Sequence, residues 1–170
     1  MELSAPAGNF FFLNPNVNNV LISAGVGLTP MMSMANHLLA ETADPNSWLL
    51  RNQGTQTQDK KQIFFLHAAR SSDVHALRQE LSTLAEQNNN LHIFIAYEQV
   101  KDTEVHGEDY HLHGRLDLRA VPPEYLPTDA DYYLCGPVPF MHEQYRSLLE
   151  KGIAKERIHS EAFGTGGVGI

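Results

Sequence analysis

Short apolar runs alternate along the chain with longer stretches in which apolar residues recur every three or four positions. This alternation predicts strands and helices in turn, as in a parallel sheet with helices on both of its faces. Five buried strands are predicted, over residues 19–24, 62–69, 91–97, 131–136 and 157–163. The expected fold class is therefore α/β, a three-layer αβα sandwich with a five-stranded parallel sheet.

Amphipathic stretches between these strands predict helices over about 29–41, 72–87 and 137–151. The first carries an apolar stripe at helical spacing, formed by Met31, Met32, Met34, Leu38 and Leu39. The second carries another stripe, formed by Val74, Leu77, Leu81 and Leu84. Both stripes are expected to pack on the sheet.

Two polar segments interrupt the alternation. Residues 42–61 are rich in Gln and Thr and are expected to form a long loop. Residues 98–130 are dominated by charge, Pro and His, and are expected to form a surface connection with at most a short helix over 114–121.

The N-terminal residues 1–15 depart from the pattern. Small and apolar residues alternate there around Pro6 and Gly8, which is typical of a strand and turn that close a β-domain. We therefore expect the chain to start inside a larger protein. Residues 1–15 would be the remnant of a preceding domain's last strand, and 16–170 would be the domain itself.

Composition limits the class of protein. A length of 170 residues with 42% hydrophobic and 19% charged residues is ordinary for one globular domain. The net charge of -8 and the lack of any Lys/Arg cluster argue against a nucleic-acid partner, which requires a basic surface. Cys135 is the single cysteine, which excludes an internal disulfide and favours a reducing, cytoplasmic compartment. No apolar stretch approaches the ~20 residues of a membrane-spanning helix, and no signal peptide is recognisable.

The stretch "SAGVGLTPM", residues 23–31, joins the first predicted strand to the first predicted helix. Gly25 and Gly27 allow a sharp bend and a close approach of a phosphate, because neither has a Cβ. Thr29 can cap the helix, and Pro30 suits its first turn. Backbone N–H groups at a helix N-terminus bind anions, so the turn predicts a phosphate site. The spacing G-x-G-x-x-P differs from the dinucleotide-binding G-x-G-x-x-G, so a tight turn without a ligand is the alternative.

The stretch "YYLCGPVPFM", residues 132–141, again ends a strand in a sharp turn. Gly136 provides the bend, and Pro137 starts the next helix. Because the carboxyl ends of parallel strands meet at one edge of a sheet, the two turns are expected to outline one crevice. Cys135 ends the strand, where its sulfur either faces a ligand or is a small buried apolar group.

A family resemblance rests on several motifs in one order: "SAPAGNFF", "LISAGVGLTPMMSM", "FLHAARSSDVHALRQEL", "YYLCGPVPFM" and "ERIHSEAFG". Together they resemble the nicotinamide-binding domain of the ferredoxin reductase superfamily, and most of all the C-terminal domain of flavohaemoglobins, the nitric oxide dioxygenases. The resemblance implies a Rossmann-like fold that binds NAD(H) or NADP(H) and passes hydride from NADH to FAD. It implies that electrons then reach haem, where nitric oxide and oxygen are converted to nitrate. FAD would be held mostly by a β-barrel domain and haem by a globin domain, neither of which is recognisable in this sequence.

The resemblance also implies the residues of the coenzyme site. Those carried over as cofactor-binding are Ser23, Ala24, Gly25, Val26, Gly27, Leu28, Thr29, Pro30, Arg70, Cys135, Gly136, Pro137, Ala162, Phe163, Gly164 and Thr165. Those carried over as catalytic are Glu161, Phe163 and Cys135. In the family the aromatic ring lies against the flavin and the carboxylate tunes the redox centres, whereas the alternative for Phe163 is core packing. Ala162 and Thr165 stand where the family has Cys and Pro.

Residues after the second strand bear on the choice of coenzyme. This type of sheet recognises the adenosine ribose there. Arg70 could accept the 2′-phosphate of NADPH, whereas an acidic residue such as Asp73 would bind the 2′-hydroxyl of NADH. The resemblance favours NADH and leaves NADPH open.

A His-rich group, His106, His111 and His113, lies in the polar segment 98–130. A metal site needs a rigid scaffold with supporting contacts around its ligands, so we interpret this group as a solvated loop and expect no metal.

The expected function is that of the NAD(P)H-binding reductase part of a flavohaemoglobin, with its own FAD-binding and globin domains as partners. Two alternatives remain open. The first is an NADH-dependent flavin reductase component of an oxygenase or iron–sulfur electron-transfer chain, since such proteins share both glycine turns. The second is a non-catalytic nucleotide-binding docking module. Neither a nucleic acid nor a membrane is expected as a partner.

Overall fold

The computed structural model describes residues 14, 16–43 and 61–161. Their strands are β1 Asn19–Ala24, β2 Ile63–Ala69, β3 Leu91–Tyr97, β4 Leu112–His113, β5 Asp131–Cys135 and β6 Ile158–Glu161. They form one sheet in the order β4-β3-β2-β1-β5-β6, in which every neighbouring pair is parallel. The predicted α/β class is confirmed, but the prediction of five strands is wrong, since the sheet has six. The additional strand, β4, has two residues and lies in the polar segment 98–130, where so short a strand leaves no hydrophobic pattern.

Strand β1 lies inside the sheet, paired with β2 on one side and with β5 on the other. Parallel strands that are covered on both faces read as continuous apolar runs, and β1 is buried from Asn19 to Ser23 accordingly. The register places Ser23 beside both His67 and Cys135. The carboxyl ends of these strands therefore lie level at one edge of the sheet, where the site residues were predicted.

The helices within the described residues are α1 Leu28–Ala43, α2 Arg78–Gln87 and α3 Val138–Glu150. The predicted single helix over 72–87 is wrong at its start, because Ser72–Val74 form a 3-10 turn and Leu77 is left-handed, with φ 54°. Val74 and Leu77, predicted on the apolar stripe, are exposed. Between them His75 turns inward and hydrogen-bonds the Tyr97 hydroxyl, a contact that apolar spacing does not reveal.

Each face of the sheet has its own apolar cluster. On one face α1 and α2 pack against the strands through a cluster that includes Leu21, Met31, Leu38, Phe65, Leu81 and Tyr97. On the other face α3 packs through a cluster that includes Val20, Ile22, Leu66, Tyr132, Met141 and Leu148. The three layers are therefore helices, sheet and helix, as predicted.

Residues 98–130 contribute to the core, so the prediction of a surface connection is wrong for part of them. Leu116, Leu118 and Val121 are buried in the α3-side cluster. The short helix expected over 114–121 is replaced by turns, and a 3-10 turn follows over Pro123–Tyr125. Apolar residues at i, i+2 and i+5 suit an irregular chain laid over a core better than a helix.

Several predictions fall outside the described residues. These are the strand remnant over 1–15 except for residue 14, the loop of 42–61 over its positions 44–60, and the end of the last strand beyond Glu161. In the part of the chain that the structure describes, no helix is both long and apolar enough to cross a membrane.

Candidate functional site

The turn after β1 is the first part of the site. Residues Gly25–Gly27 form a 3-10 turn that leads directly into α1. Gly25 has φ 54°, in the left-handed region that favours glycine, and a Cβ built on it would meet no atom within 4 Å. Val26 is 72% exposed at the tip, and Thr29 Oγ1 donates a 3.1 Å hydrogen bond to the Val26 carbonyl oxygen. The turn is thus open toward solvent and fixed by its own helix.

Gly27 packs directly against the end of β5. It is buried, and a Cβ on it would lie 2.1 Å from the carbonyl oxygen of Cys135. The missing Cβ makes room for the end of β5, and the expectation that Gly27 also lets a phosphate approach stays a prediction. Close packing between the two turns is therefore what this position requires.

The turn after β5 lies beside the first one. Gly136 packs closely as well, since a Cβ there would lie 3.0 Å from the Phe140 ring and 3.3 Å from Ala24. Pro137 precedes the first residue of α3 and accepts a 3.0 Å hydrogen bond from the Met141 N–H. The strand register and these contacts confirm that the two turns lie side by side at one edge of the sheet.

A cavity of about 410 Å³ opens at this edge, on the side of α3. Ala24 and Gly25 from the first turn and Pro137 from the second line it. The cavity is also lined by Arg70, which follows β2, and by three further charged residues, Glu98, Arg115 and Glu143. We call this space the edge cavity. Its combination of small residues and guanidinium groups suits a phosphorylated, flat-ringed ligand.

Apart from Glu161, the exposed last residue of β6, the predicted site residues that the structure describes fall into three groups. Those that line the edge cavity are Ala24, Gly25, Arg70 and Pro137. Those on the outer surface of the first turn and helix start are Val26, Thr29 and Pro30. Those that are buried away from it are Ser23, Gly27, Leu28, Cys135 and Gly136. Ala162, Phe163, Gly164 and Thr165 lie outside the described residues, and their roles stay predictions.

Cys135 lies in the apolar cluster on the α1 side, not in the edge cavity. Burial, with the charge of Glu161 second, raises the pKa of its thiol to about 11. Glu161 is the register partner of Cys135 across the β5–β6 pair, and its side chain is exposed. The thiol is therefore protonated at neutral pH, so its chemistry toward a ligand is limited to contact as a neutral group.

A buried polar chain crosses three strands at the same edge, on the α1 and α2 side. The Ser23 hydroxyl lies 2.8 Å from His67 Nδ1, and His75 Nδ1 lies 2.7 Å from the Tyr97 hydroxyl. The two imidazole rings lie between these bonds, with their centroids 4.6 Å apart. We call Ser23, His67, His75 and Tyr97 the polar chain.

Both imidazoles of the polar chain are neutral. Burial, with the charge of His75 second, lowers the pKa of His67 to about 3. Burial, with the nearby Arg78 guanidinium second, lowers the pKa of His75 to about 4. In the described part of the chain His75 Nε2 is buried without a hydrogen-bond partner. The polar chain therefore ties β1, β2 and β3 to the segment after Arg70 without carrying charge.

Two residues that were not predicted at this edge, Glu98 and His67, do have a signal in the sequence. Glu98 directly follows a predicted strand, so the rule that strand ends meet at one edge points to it. His67 interrupts an apolar run, and such a histidine on a strand covered on both faces must be buried. Arg115 follows β4, which the hydrophobic pattern did not predict, so no comparable signal was available for it.

The histidines of segment 98–130 make separate local contacts. His111 Nδ1 accepts a 3.1 Å hydrogen bond from the Ile95 N–H, and His106 Nε2 lies 3.0 Å from the His111 carbonyl oxygen. Burial lowers the pKa of His111. Within the described ranges, no group of three or more His, Cys, Asp or Glu side chains is arranged to hold a metal ion.

Comparisons with known proteins agree with this geometry. The chain matches the family model described as oxidoreductase NAD-binding domain over residues 21–146. It is 43% identical over 169 residues to a flavohemoprotein of Bordetella pertussis, covering 99% of this chain and 38% of the relative. A flavohemoprotein of Rhizobium meliloti is 41% identical over 165 residues, covering 96% of this chain and 37% of the relative.

A solved structure supports the same assignment. The flavohem-like FAD/NAD binding domain of nitric oxide dioxygenase from Vibrio cholerae has a TM-score of 0.69 at 33% identity, covering 95% of this chain and 57% of that one. The chain spans about two fifths of the length of the curated relatives named above. It belongs to the oxidoreductase NAD-binding domain family and corresponds to the C-terminal reductase part of flavohemoproteins.

Proposed function

We propose that this chain binds NAD(H) across the edge cavity and acts as the reductase part of a flavohemoprotein. In the whole protein, hydride would pass from NADH to FAD and electrons would pass on to haem, for the conversion of nitric oxide and oxygen to nitrate. The globin and flavin-binding domains of such a protein are its proposed partners. The edge cavity is the observation that carries the proposal, because both glycine turns and Arg70 meet in it.

The residues that line the edge cavity fit a dinucleotide. The N-terminus of α1, a helix of 16 residues, follows the turn at Gly25, and its backbone N–H groups favour a bound pyrophosphate. Ala24 and Ala68 line the cavity with small side chains that leave room for a ligand, and the half-buried Phe140 contributes an aromatic ring to its lining. Arg70 makes no side-chain hydrogen bond within the described residues, so its guanidinium is available to an anionic ligand.

In the proposed reaction, this chain holds the coenzyme and orients its nicotinamide ring. The nicotinamide supplies the hydride when the coenzyme is bound, and the protein fixes where that ring lies. By the family resemblance we propose that Phe163 covers the flavin until the nicotinamide enters, and that Glu161 and Cys135 lie next to the reacting rings. Glu161 is exposed at the end of β6, which supports its assignment, whereas Cys135 is buried outside the edge cavity, so its assignment rests on the resemblance alone.

Binding is tested by titrating the chain with NADH and with ADP-ribose in a calorimeter. We expect both to bind, and Arg70→Ala to weaken both by about tenfold, as for a lost charged hydrogen bond to phosphate or ribose. Arg146→Ala is the matched control, because Arg146 is exposed on α3 and does not line the edge cavity. No binding by the folded wild type, or equal losses in both variants, would contradict the proposed site.

Turnover is tested with ferricyanide as electron acceptor. If flavin comes from a separate domain, the chain alone should not oxidise NADH, and addition of the FAD-loaded flavin domain of a flavohemoprotein should start the reaction. Sustained NADH oxidation by the chain alone would refute this division between domains.

A further inference from the structure

Four asparagines lie close together where the chain enters the sheet, at Asn14, Asn16, Asn18 and Asn19. Asn19 is the first residue of β1, and we call residues 14 and 16–18, which precede it, the entry turn. β1 begins beside the entry turn and ends at the edge cavity, so the two lie at opposite edges of the sheet. Neither the edge cavity nor the polar chain includes any of these asparagines.

The Asn19 side chain fixes the entry turn from inside the protein. It is 1% exposed, and its Nδ2 donates a 3.0 Å hydrogen bond to the Asn14 carbonyl oxygen and a 2.9 Å bond to the Val17 carbonyl oxygen. Among the described residues, Asn19 Oδ1 is buried without a hydrogen-bond partner. A buried amide oxygen without a partner costs free energy, which an apolar side chain of similar size would avoid. The two bonds that Asn19 donates to the turn are therefore what requires an asparagine.

Groups on both sides of β1 hold the same turn. On β5, the hydroxyl of the buried Tyr133 hydrogen-bonds the backbone of Asn14. The Asp131 N–H donates a 2.9 Å bond to the Asn18 carbonyl oxygen. Directly before β2, the Gln62 N–H donates a 2.9 Å bond to Asn18 Oδ1. A rotation of the entry turn against the sheet would therefore break several hydrogen bonds at once.

The orientation of the entry turn matters at the opposite edge of the sheet. β1 has six residues, so the two edges lie roughly 20 Å apart. A domain that is attached rigidly at the entry turn and rotates there by about 3° would move by about 1 Å at the edge cavity. Hydride transfer is sensitive to such a shift, since a misplacement of ~1 Å between reacting groups can cost about 10²-fold in rate.

We propose that Asn19 and Tyr133 are positioning residues that make the entry turn a rigid joint, which fixes the flavin-binding domain of the whole protein relative to the edge cavity. The inference rests on the proposed function, since it assumes a coenzyme in the edge cavity and a flavin-binding domain joined to this chain through the residues before Asn14. Neither side chain lines the edge cavity. Both act only through the direction in which the preceding domain is attached, so hydride transfer depends on them and coenzyme binding does not.

Stopped-flow reduction of the flavin by NADH in the whole flavohemoprotein tests the joint. In Asn19→Leu, which keeps the size of the side chain but loses both donated bonds, we expect hydride transfer to slow by about tenfold. We expect the dissociation constant of ADP-ribose, measured by calorimetry, to stay as in wild type. Asn90→Leu is the matched control, because Asn90 is 3% exposed and its Nδ2 bonds the Lys61 carbonyl oxygen instead of the entry turn. We expect this control to lower stability without slowing hydride transfer.

A second pair of variants changes a single hydroxyl group. Tyr133→Phe keeps the ring and its packing, and we expect it to slow hydride transfer by about threefold. Tyr132→Phe is the matched control on the same strand, because the Tyr132 hydroxyl donates a 2.8 Å bond to the Pro127 carbonyl oxygen. We expect this control to reduce the flavin at the wild-type rate.

The outcomes separate this inference from the proposed function. Unchanged hydride transfer in both Asn19→Leu and Tyr133→Phe, or equal slowing in their controls, would overturn the inference while flavin reduction in wild type still supported the proposed function. An equal loss of ADP-ribose affinity in Asn19→Leu would also overturn it, since a joint does not act on binding. If NADH did not reduce the flavin of the folded wild-type protein, the proposed function and the inference would both fail.

Discussion

Because the two histidines of the polar chain are buried in their neutral form, we expect the protein to lose stability steeply in mild acid. Burial lowers the pKa of His67 from 6.5 to about 3 and that of His75 from 6.5 to about 4. A histidine in the unfolded chain titrates near the unshifted value, so the unfolded state takes up protons first as the pH falls. The stabilising effect of the neutral form is therefore complete above about pH 6.5 and is lost progressively below it.

The size of the effect follows from the two shifts. A pH of 5 lies about 1.5 units below the pKa of histidine in the unfolded chain and still above the pKa of each histidine in the folded chain. Each histidine therefore lowers the free energy of unfolding at pH 5 by about 2 kcal/mol. Together they remove about 4 kcal/mol from the free energy of unfolding, a large part of the roughly 5–15 kcal/mol of an ordinary domain. Two extra protons in the unfolded state give a slope of about 2.7 kcal/mol per pH unit near pH 5.

Urea unfolding followed by circular dichroism between pH 7.5 and 4.5 measures this slope. Replacement of one titrating group, in His75→Gln, is expected to lower the slope near pH 5 by about 1.4 kcal/mol per pH unit. The burial of His111 adds to the slope in wild type and variant alike, so the difference isolates His75. His37→Gln is the control, because His37 is exposed on α1 and is in water in both states. The same slope in His75→Gln as in wild type would refute the assignment of a buried neutral pair.

Four further predictions concern the two glycines of the first turn, Cys135 and the polar chain. Gly27→Ala should lower the free energy of unfolding by about 3 kcal/mol or more, because its Cβ would lie 2.1 Å from the Cys135 carbonyl oxygen. Gly25→Ala, with φ 54° but no close neighbour, should cost only about 1 kcal/mol in the same urea titration. Cys135 should fail to react with a chromogenic disulfide at pH 7.5 in the folded chain and should give one thiol per chain in urea; rapid reaction without urea would contradict its burial. Tyr97→Phe should lower the free energy of unfolding by about 1–3 kcal/mol while NADH affinity stays the same, since it leaves His75 Nδ1 unpaired on the face opposite the edge cavity.

The strands were predictable because the sheet is covered on both faces. β1 and β3 have the predicted bounds, since continuous apolar runs between polar turns fix where a buried parallel strand begins and ends. Where hydrophobic contact does not decide the local structure, the same rule fails. β4 is held by its pairing with Ala96 and Tyr97 on β3, and neither of its two residues is buried. The broken start of the second helix is held by His75, a polar residue that periodicity does not count.

The site was predictable in outline and not in detail. The two glycine turns follow predicted strands, so their meeting at one edge is a consequence of parallel pairing. Which side of the sheet each residue faces depends on tertiary packing. The motif assigns the same role to Gly25 and Gly27. In the structure Gly25 is open to solvent, whereas Gly27 packs against the end of β5. Asp73 and Glu98 are both acidic residues near strand ends, and only the fold decides which of them faces the cavity.

The carboxyl edge of the sheet has two sides with different chemistry, and the period-two alternation of the strands separates them. On β1 the Ser23 side chain faces α1 and α2, where it bonds His67, while Ala24 faces the edge cavity. On β2 the same step separates His67 from Ala68. Small side chains on the cavity side leave room for a ligand. On the sealed side, neutral hydrogen bonds join β1 to β2 and join β3 to His75 in the segment after β2. The strand ends can therefore stay fixed when a coenzyme binds, while the charged side chains around the cavity form new contacts with it.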